Sequence, residues 1–258
     1  MGEITGYIDV AQVALYLFWG FFAALVIYLQ QESKREGFPQ EEDGLLPNAV
    51  DHTSVGFPPM PREKQYLLED GTTITTPATE GDKRDIALRP LHAWPGTPFE
   101  PTGNPLVDGV GPASYAERED VPDMTHEGHP KVMPMREAAT FVVADGDPDP
   151  RGMEVVASDA NVVGKVTDLW VDTEEIIIRY YEVQLDGYTR PVLLPMTFAR
   201  IDGSARRIFV STINSEQFPQ VPLTAKPNLV TRLEEDKIMG YFGGGILFGR
   251  AGRRNPLL

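Results

Sequence analysis

The chain is 258 residues long, carries a formal net charge of −15 and contains no cysteine. That acidity excludes a nucleic-acid partner, which needs a basic surface; solubility or the attraction of protons and cations accounts for it. Disulfides, thiolate metal sites and cysteine nucleophiles are excluded as well.

The first element is Val13–Leu29, VALYLFWGFFAALVIYL, which has no charge and no proline. Extended back to Val10 it supplies the roughly 20 helical residues that cross a hydrocarbon core about 30 Å thick. Backbone groups in lipid must bond within their own segment, so the stretch is predicted to be a helix. A signal peptide is disfavoured because the first Lys or Arg is Lys34 and no small-residue cleavage site follows. A buried helix of a soluble domain is disfavoured because no face is polar. Glu3 and Asp9 precede the span, and Lys34 and Arg35 follow it. Positive-inside then places the N-terminus outside the cytoplasm and the bulk of the chain inside. Gly20, Ala23 and Ala24 offer a surface for close contact with another helix.

Residues 31–105 read as a proline-rich extended connector. Its prolines forbid long helices and central strands, and Phe57, Trp94 and Phe99 favour a segment laid along a partner surface over a disordered one. Within it, Gln65–Leu68 and Thr72–Thr76 are predicted as a hairpin turning at Glu69-Asp70-Gly71.

From about Asp108 the character changes. Val142-Val143, Val155–Ala157, Val162–Val171, Ile176–Leu185, Arg190–Leu194 and Arg207–Ser211 are predicted strands, with hairpin turns at Asp186-Gly187 and Asp202-Gly203. Ile176, Ile178, Tyr180 and Glu182 are expected on one face, with Ile177, Arg179, Tyr181 and Val183 on the other. Such spacing suggests a small antiparallel barrel or sandwich. A last helix begins at the capping box Thr231–Glu234 and is expected to run to about Phe242 and stop at Gly243-Gly244-Gly245. The tail ILFGRAGRRNPLL is apolar, then basic, and is expected to lie against something.

The usual enzymatic motifs are absent: no phosphate loop, GxGxxG, GxSxG or HExxH. Of the histidines His52, His92, His126 and His129, only the last two are close, in the loop Asp123–His129 between Pro122 and Pro130. Imidazole titrates near neutrality and adjacent carboxylates raise its proton affinity. His126, Glu127 and His129 therefore could receive protons, hold a divalent metal as a surface site, or form a plain solvated loop. A metal-dependent enzyme at these residues has no readable cleft to support it. A second titratable group comprises Asp168, Asp172, Glu174, Glu175, Arg179 and Glu182. A carboxylate beside an arginine can relay protons, although an exposed hairpin end has the same composition.

Several ordered segments resemble the H subunit family of the purple-bacterial photosynthetic reaction centre. They are KREGFP after the anchor, PTGNPLVDGVGPASYAER at 101–118, DPRG at 149–152, GKVTDLWVD at 164–172, SEQF at 215–218 and LEEDKIMGYFGGG at 233–245. The resemblance implies a periplasmic tail at residues 1–11, a transmembrane helix at 12–30, the connector at 31–105 lying on partner subunits, and a cytoplasmic domain at 106–258. That domain is expected to be mainly β, a PRC-type small antiparallel β-barrel with one C-terminal helix. The expected location is the bacterial inner (intracytoplasmic or chromatophore) membrane.

It further implies a subunit without pigment or catalytic centre of its own. This subunit caps and stabilises the L and M subunits, shields the quinone sites and conducts protons to the secondary quinone. Bacteriochlorophyll, bacteriopheophytin, quinones, non-haem iron and carotenoid are expected on the partner subunits. Membrane lipid, light-harvesting antenna and a cytochrome subunit are further expected neighbours. The family's proton entry is a histidine pair near an Asp, on a surface that also binds divalent metals. His129 matches the second histidine, Glu127 stands where the first would be, and Thr125 stands where the Asp would be. The family's interior Glu, its nearby Arg and a further acid match Glu175, Arg179 and Asp172. The competing reading is a membrane-tethered PRC-barrel protein that docks some other partner.

Overall fold

The computed structural model describes residues 3–5, 8–36, 56–69, 71–77, 86–94 and 96–249. His52 and the tail beyond residue 249 lie outside the described residues. The chain divides into two units: Met1–Asp85 with Pro90–Pro98, and Ile86–Arg89 with Phe99–Leu258.

In the first unit, β1 (Glu3–Thr5) pairs antiparallel with β2 (Ile8–Asp9). Asp9 then caps helix α1 (Val10–Ser33), its carboxylate accepting from the Gln12 N–H at 2.7 Å. The helix is 24 residues long, about 36 Å, and is long and apolar enough to cross a membrane. No residue of it is buried. It runs past the expected end at residue 30, because Gln31, Glu32 and Ser33 continue as good or neutral helix residues before the chain turns. The basic flank also makes contacts of its own. The Lys34 ammonium donates to the Pro58 carbonyl at 2.5 Å and Arg35 to the Arg62 carbonyl at 2.6 Å. Glu32 bridges Arg35 and Lys64 at 2.6 and 3.0 Å. The early connector is thus clipped to the end of the helix. The expected hairpin forms as β3 (Lys64–Leu67) and β4 (Thr73–Thr76).

The pair β5 (Leu88–Pro90) and β6 (Phe99–Pro101) was not foreseen. Each strand is three residues long and proline-bounded, and so gives no periodic signal.

The second unit is built on a seven-stranded sheet: β7 (Val132–Pro134), β8 (Glu154–Val156), β9 (Val162–Asp172), β10 (Ile177–Leu185), β11 (Val192–Pro195), β12 (Ala199–Asp202) and β13 (Arg207–Val210). The order is β11-β10-β9-β8-β13-β12, with β7 added to β9, and the sheet curls into a half-barrel. Every pairing is antiparallel except β8 with β13, which is parallel. β7 and β12 are short elements that the patterning did not single out. Val142-Val143 is not a strand: the two residues lie in irregular chain that bends at a turn closed by the Asp147 N–H on the Ala144 carbonyl. Residues 141–144 lie between turns and join no sheet among the described residues.

β9 and β10 carry the core. The first half of β9 alternates, while Asp168–Asp172 is buried throughout. A strand covered on both faces loses its alternation. On β10 the register slips between Ile178 and Tyr180 and again between Glu182 and Val183. These bulges break the simple two-face division expected for β10, and Tyr180 through Val183 are all buried. Leu169, Val183, Leu194, Val155 and Ile208 belong to one buried core with Ile238 and Phe242 of the closing helix.

That helix, α2 (Arg232–Phe248), starts at the predicted capping box. It continues through the glycines instead of stopping at them. A Cβ on Gly244 would lie 2.4 Å from the Ala113 Cβ, and one on Gly245 would lie 2.7 Å from the Thr212 carbonyl. These glycines are contact points where other backbone presses on the helix. The burial there outweighs the cost of glycine in a helix, about 1 kcal/mol each.

Candidate functional site

The histidine loop is a miniature hairpin. The Thr125 N–H bonds to the His129 carbonyl at 2.7 Å, the Gly128 N–H to the Thr125 carbonyl at 3.0 Å, and Met124 bridges Pro130. Gly128 sits at φ +81°, the left-handed residue that closes a type I turn onto a bulge. His126 and Glu127 form the tip and His129 the return; all three are exposed. Among the described residues no three His, Cys, Asp or Glu side chains converge to hold a metal ion. The expected set His126, Glu127 and His129 is therefore not assembled as a metal centre.

The tip is tied to a second turn. The His126 N–H reaches the Glu174 carboxylate at 3.4 Å. Immediately after the loop, Lys131 turns inward with its side chain mostly covered. Its ammonium lies 3.3 Å from Glu175, 3.5 Å from Asp172 and 3.8 Å from Glu174. The hydrogen bond to Glu175, with the charges of Asp172 and Glu175, raises the Lys131 pKa against the effect of burial. Asp172 is fully buried at the end of β9. Its Oδ1 accepts from the Glu174 and Glu175 N–H groups at 3.1 and 2.9 Å, which shapes the turn into β10. Its Oδ2 has no hydrogen bond and lies 3.5 Å from the Lys131 ammonium. Glu175 is half exposed and lies 4.0 Å from Arg179.

The structure divides the expected group of six: Asp172, Glu174, Glu175 and Arg179 gather at one turn with Lys131 among them, while Asp168 and Glu182 stand apart. Among the described residues no hydrogen bond joins the imidazole of His126 or His129 to these carboxylates. Lys131 was missed; its place directly after the Pro130 boundary was the available signal. Beyond Arg179, the Tyr180 hydroxyl donates to Glu235 of α2 at 2.8 Å. Burial raises the Glu235 carboxyl above its usual range, while the Tyr180 hydrogen bond and the Arg179 charge work against the rise.

Asp168 and Glu182, opposite each other on β9 and β10, form a separate cluster. Both carboxylates bond to the same Arg136 Nη1, at 2.9 and 2.8 Å. The Trp170 indole and Thr167 hydroxyl also donate to Glu182, each at 3.0 Å, and the Leu169 N–H donates to Asp168 at 2.8 Å. Arg136 continues to the Pro227 carbonyl and Asn228, at 2.9 and 2.7 Å. Arg136 gives no sequence signal, since its partners lie 32 and 46 residues away.

Residues 2–137 match the family described as the photosynthetic reaction centre H-chain, N-terminal region. The chain belongs to the photosynthetic reaction-centre H-chain family. Residues 144–217 match the PRC-barrel domain, which covers β8 through β13. Membership implies association with the reaction-centre L and M subunits, and with α1 it makes this chain a single-pass membrane protein of photosynthesis.

Proposed function

We propose that this chain caps and stabilises the L–M core, shields the quinone sites, and conducts protons from the cytoplasm to the secondary quinone. The observation carrying this reading is a graded series of titratable groups. It begins with exposed His126, Glu127 and His129, passes Glu174 and Lys131, and reaches the buried Asp172 with Glu175 and Arg179 at its side. Exposed imidazoles and carboxylates collect protons, and the carboxylates around one ammonium pass them inward. A reduced quinone on the partner subunits is an anion in a low-dielectric site and supplies the demand.

The orientation follows from Lys34 and Arg35: N-terminus periplasmic, bulk cytoplasmic, in the bacterial inner membrane. The chain has no catalytic centre of its own in this reading. Bacteriochlorophyll, bacteriopheophytin, quinones, non-haem iron and carotenoid belong to the partner subunits. Antenna, a cytochrome subunit and lipid are its neighbours. Gly20, Ala23 and Ala24 pack against a partner helix and hold the cap in register. No divalent-metal role is assigned to the loop, whose side chains do not converge.

The test is Glu175→Gln in the assembled complex. The second electron transfer, with its coupled proton uptake, is expected to slow about 10-fold or more by loss of a proton-transfer group, with primary charge separation intact. Unchanged flash-induced proton uptake removes Glu175 from the path.

A further inference from the structure

We propose that the hairpin β3–β4 lies in the lipid headgroup layer, with Tyr66, Leu68 and Ile74 against the bilayer surface at the foot of α1. This rests on α1 as a membrane span and is independent of the proton path.

The helix sets the level. Its apolar run ends at Leu29, and Gln30, Gln31, Glu32 and Ser33 continue it in polar residues. A helical run of roughly 20 residues fills a hydrocarbon core about 30 Å thick, so that polar last turn stands among the headgroups. The hairpin is fastened there by both of its ends. Arg35 donates to the Arg62 carbonyl, two residues before β3, at 2.6 Å, and to the Thr76 carbonyl, at the end of β4, at 3.2 Å. Glu32 accepts from Arg35 at 2.6 Å and from the Lys64 ammonium at 3.0 Å. The phenols of Tyr28 on the helix and Tyr66 on the hairpin both act on the Arg35 charge. The two strands therefore start at the depth where the helix leaves the hydrocarbon.

The pairing sets the face. Tyr66 stands opposite Ile74 and Lys64 opposite Thr76, and the Leu68 N–H extends the ladder to the Thr72 carbonyl at 2.8 Å. Side chains alternate along a strand, so Lys64, Tyr66 and Leu68 share one face with Ile74, while Gln65, Leu67, Thr73 and Thr75 take the other. Tyr66, Leu68 and Ile74 are 44 %, 37 % and 45 % exposed. Among the described residues β3 and β4 pair with no further strand. A lone two-stranded hairpin is marginal in water, so a cover over this face stabilises it. The Lys64–Glu32 contact turns the same face toward the foot of the helix, where lipid is. A tyrosine ring with a wet hydroxyl, beside a lysine whose ammonium stays among phosphates, suits that layer. Glu32, Glu36 and Glu63 offset the cations Lys34, Arg35, Arg62 and Lys64. The apolar face and not net charge is thus the determinant, and the surface needs no anionic lipid.

The absence of cysteine allows a single spin label at each chosen position. The full-length variants Ile74→Cys and Leu68→Cys are labelled and then assembled into the complex in phosphatidylcholine bilayers. Both labels are expected to be relaxed more strongly by oxygen, which partitions into lipid, than by a water-soluble nickel complex. Labels relaxed more strongly by the nickel complex place the face in water and overturn the proposal. Labels reached by neither reagent place it under protein, which overturns it as well. Leu17→Cys, at an exposed position within α1, is the separating control. A nickel-favoured label there overturns the membrane span itself, whereas the same result confined to the hairpin overturns only its lipid contact.

Discussion

Two acidic clusters share strand β9, four residues apart, and differ in how their charge is held. Around Asp168 and Glu182 one guanidinium nitrogen, Arg136 Nη1, bonds both carboxylates while the rest of the planar group is fixed on Asn228 and Pro227, and an indole, a hydroxyl and backbone N–H groups take up further acceptor positions. Around Asp172, one ammonium is shared among three carboxylates at 3.3–3.8 Å, and one buried oxygen has no hydrogen bond. A planar fork fixes geometry, whereas an ammonium is a point charge on a flexible stem. The first cluster is a fastener between β7, β9, β10 and the segment leading to α2. The second is looser, with one carboxylate oxygen buried and without a hydrogen bond. Similar residue types in one strand are thus held by a guanidinium in one place and by an ammonium in the other.

The largest expected effect breaks the fastener. Arg136→Met strands two buried carboxylates and should cost about 2–4 kcal/mol, discounted because the guanidinium is partly exposed. Denaturation of the full-length chain in detergent measures it. A loss below about 1 kcal/mol would erase the distinction between the clusters.

Asp172→Asn should reverse the pattern. The amide oxygen still accepts the Glu174 and Glu175 N–H groups, and Lys131 keeps two carboxylates. Stability should change by no more than about 1 kcal/mol, while flash-induced proton uptake slows. A large stability loss with normal uptake would make Asp172 a second fastener.

The smallest effect concerns Glu235, the partly buried acid beyond Arg179. Its folded-state pKa is raised chiefly by burial, so its contribution is full below the unfolded value near 4.5 and is lost as pH rises through the folded value. Glu235→Gln keeps a neutral acceptor for Tyr180 at every pH. The variant should match the parent at low pH and become the more stable of the two as pH climbs above 4.5. Thermal midpoints across pH read this, and parallel curves would refute it.

Much of the fold was legible because its signals are local. The apolar run of α1, the Thr231–Glu234 box and the two Asp-Gly turns each act within a few residues. The β10 faces were misread because bulges depend on the partner strand. The helix past Gly243 was misread because glycine's local cost is overridden by the chain pressing on it at Ala113 and Thr212. In the candidate site, Asp172, Glu175 and Arg179 were legible together because they lie only three to seven residues apart. The ammonium that organises them comes from residue 131, and that pairing depends on β7 lying against β9.

By itself the sequence determined the anchor, its orientation signal, the strand-rich domain and the identity of the titratable residues. Those properties follow from composition, period and caps. Tertiary structure alone decided which carboxylates share a cation, and that Arg136 closes one cluster and Lys131 the other. Each of these depends on groups far apart in the chain being packed at hydrogen-bond distance, where burial sets the strength of every charge.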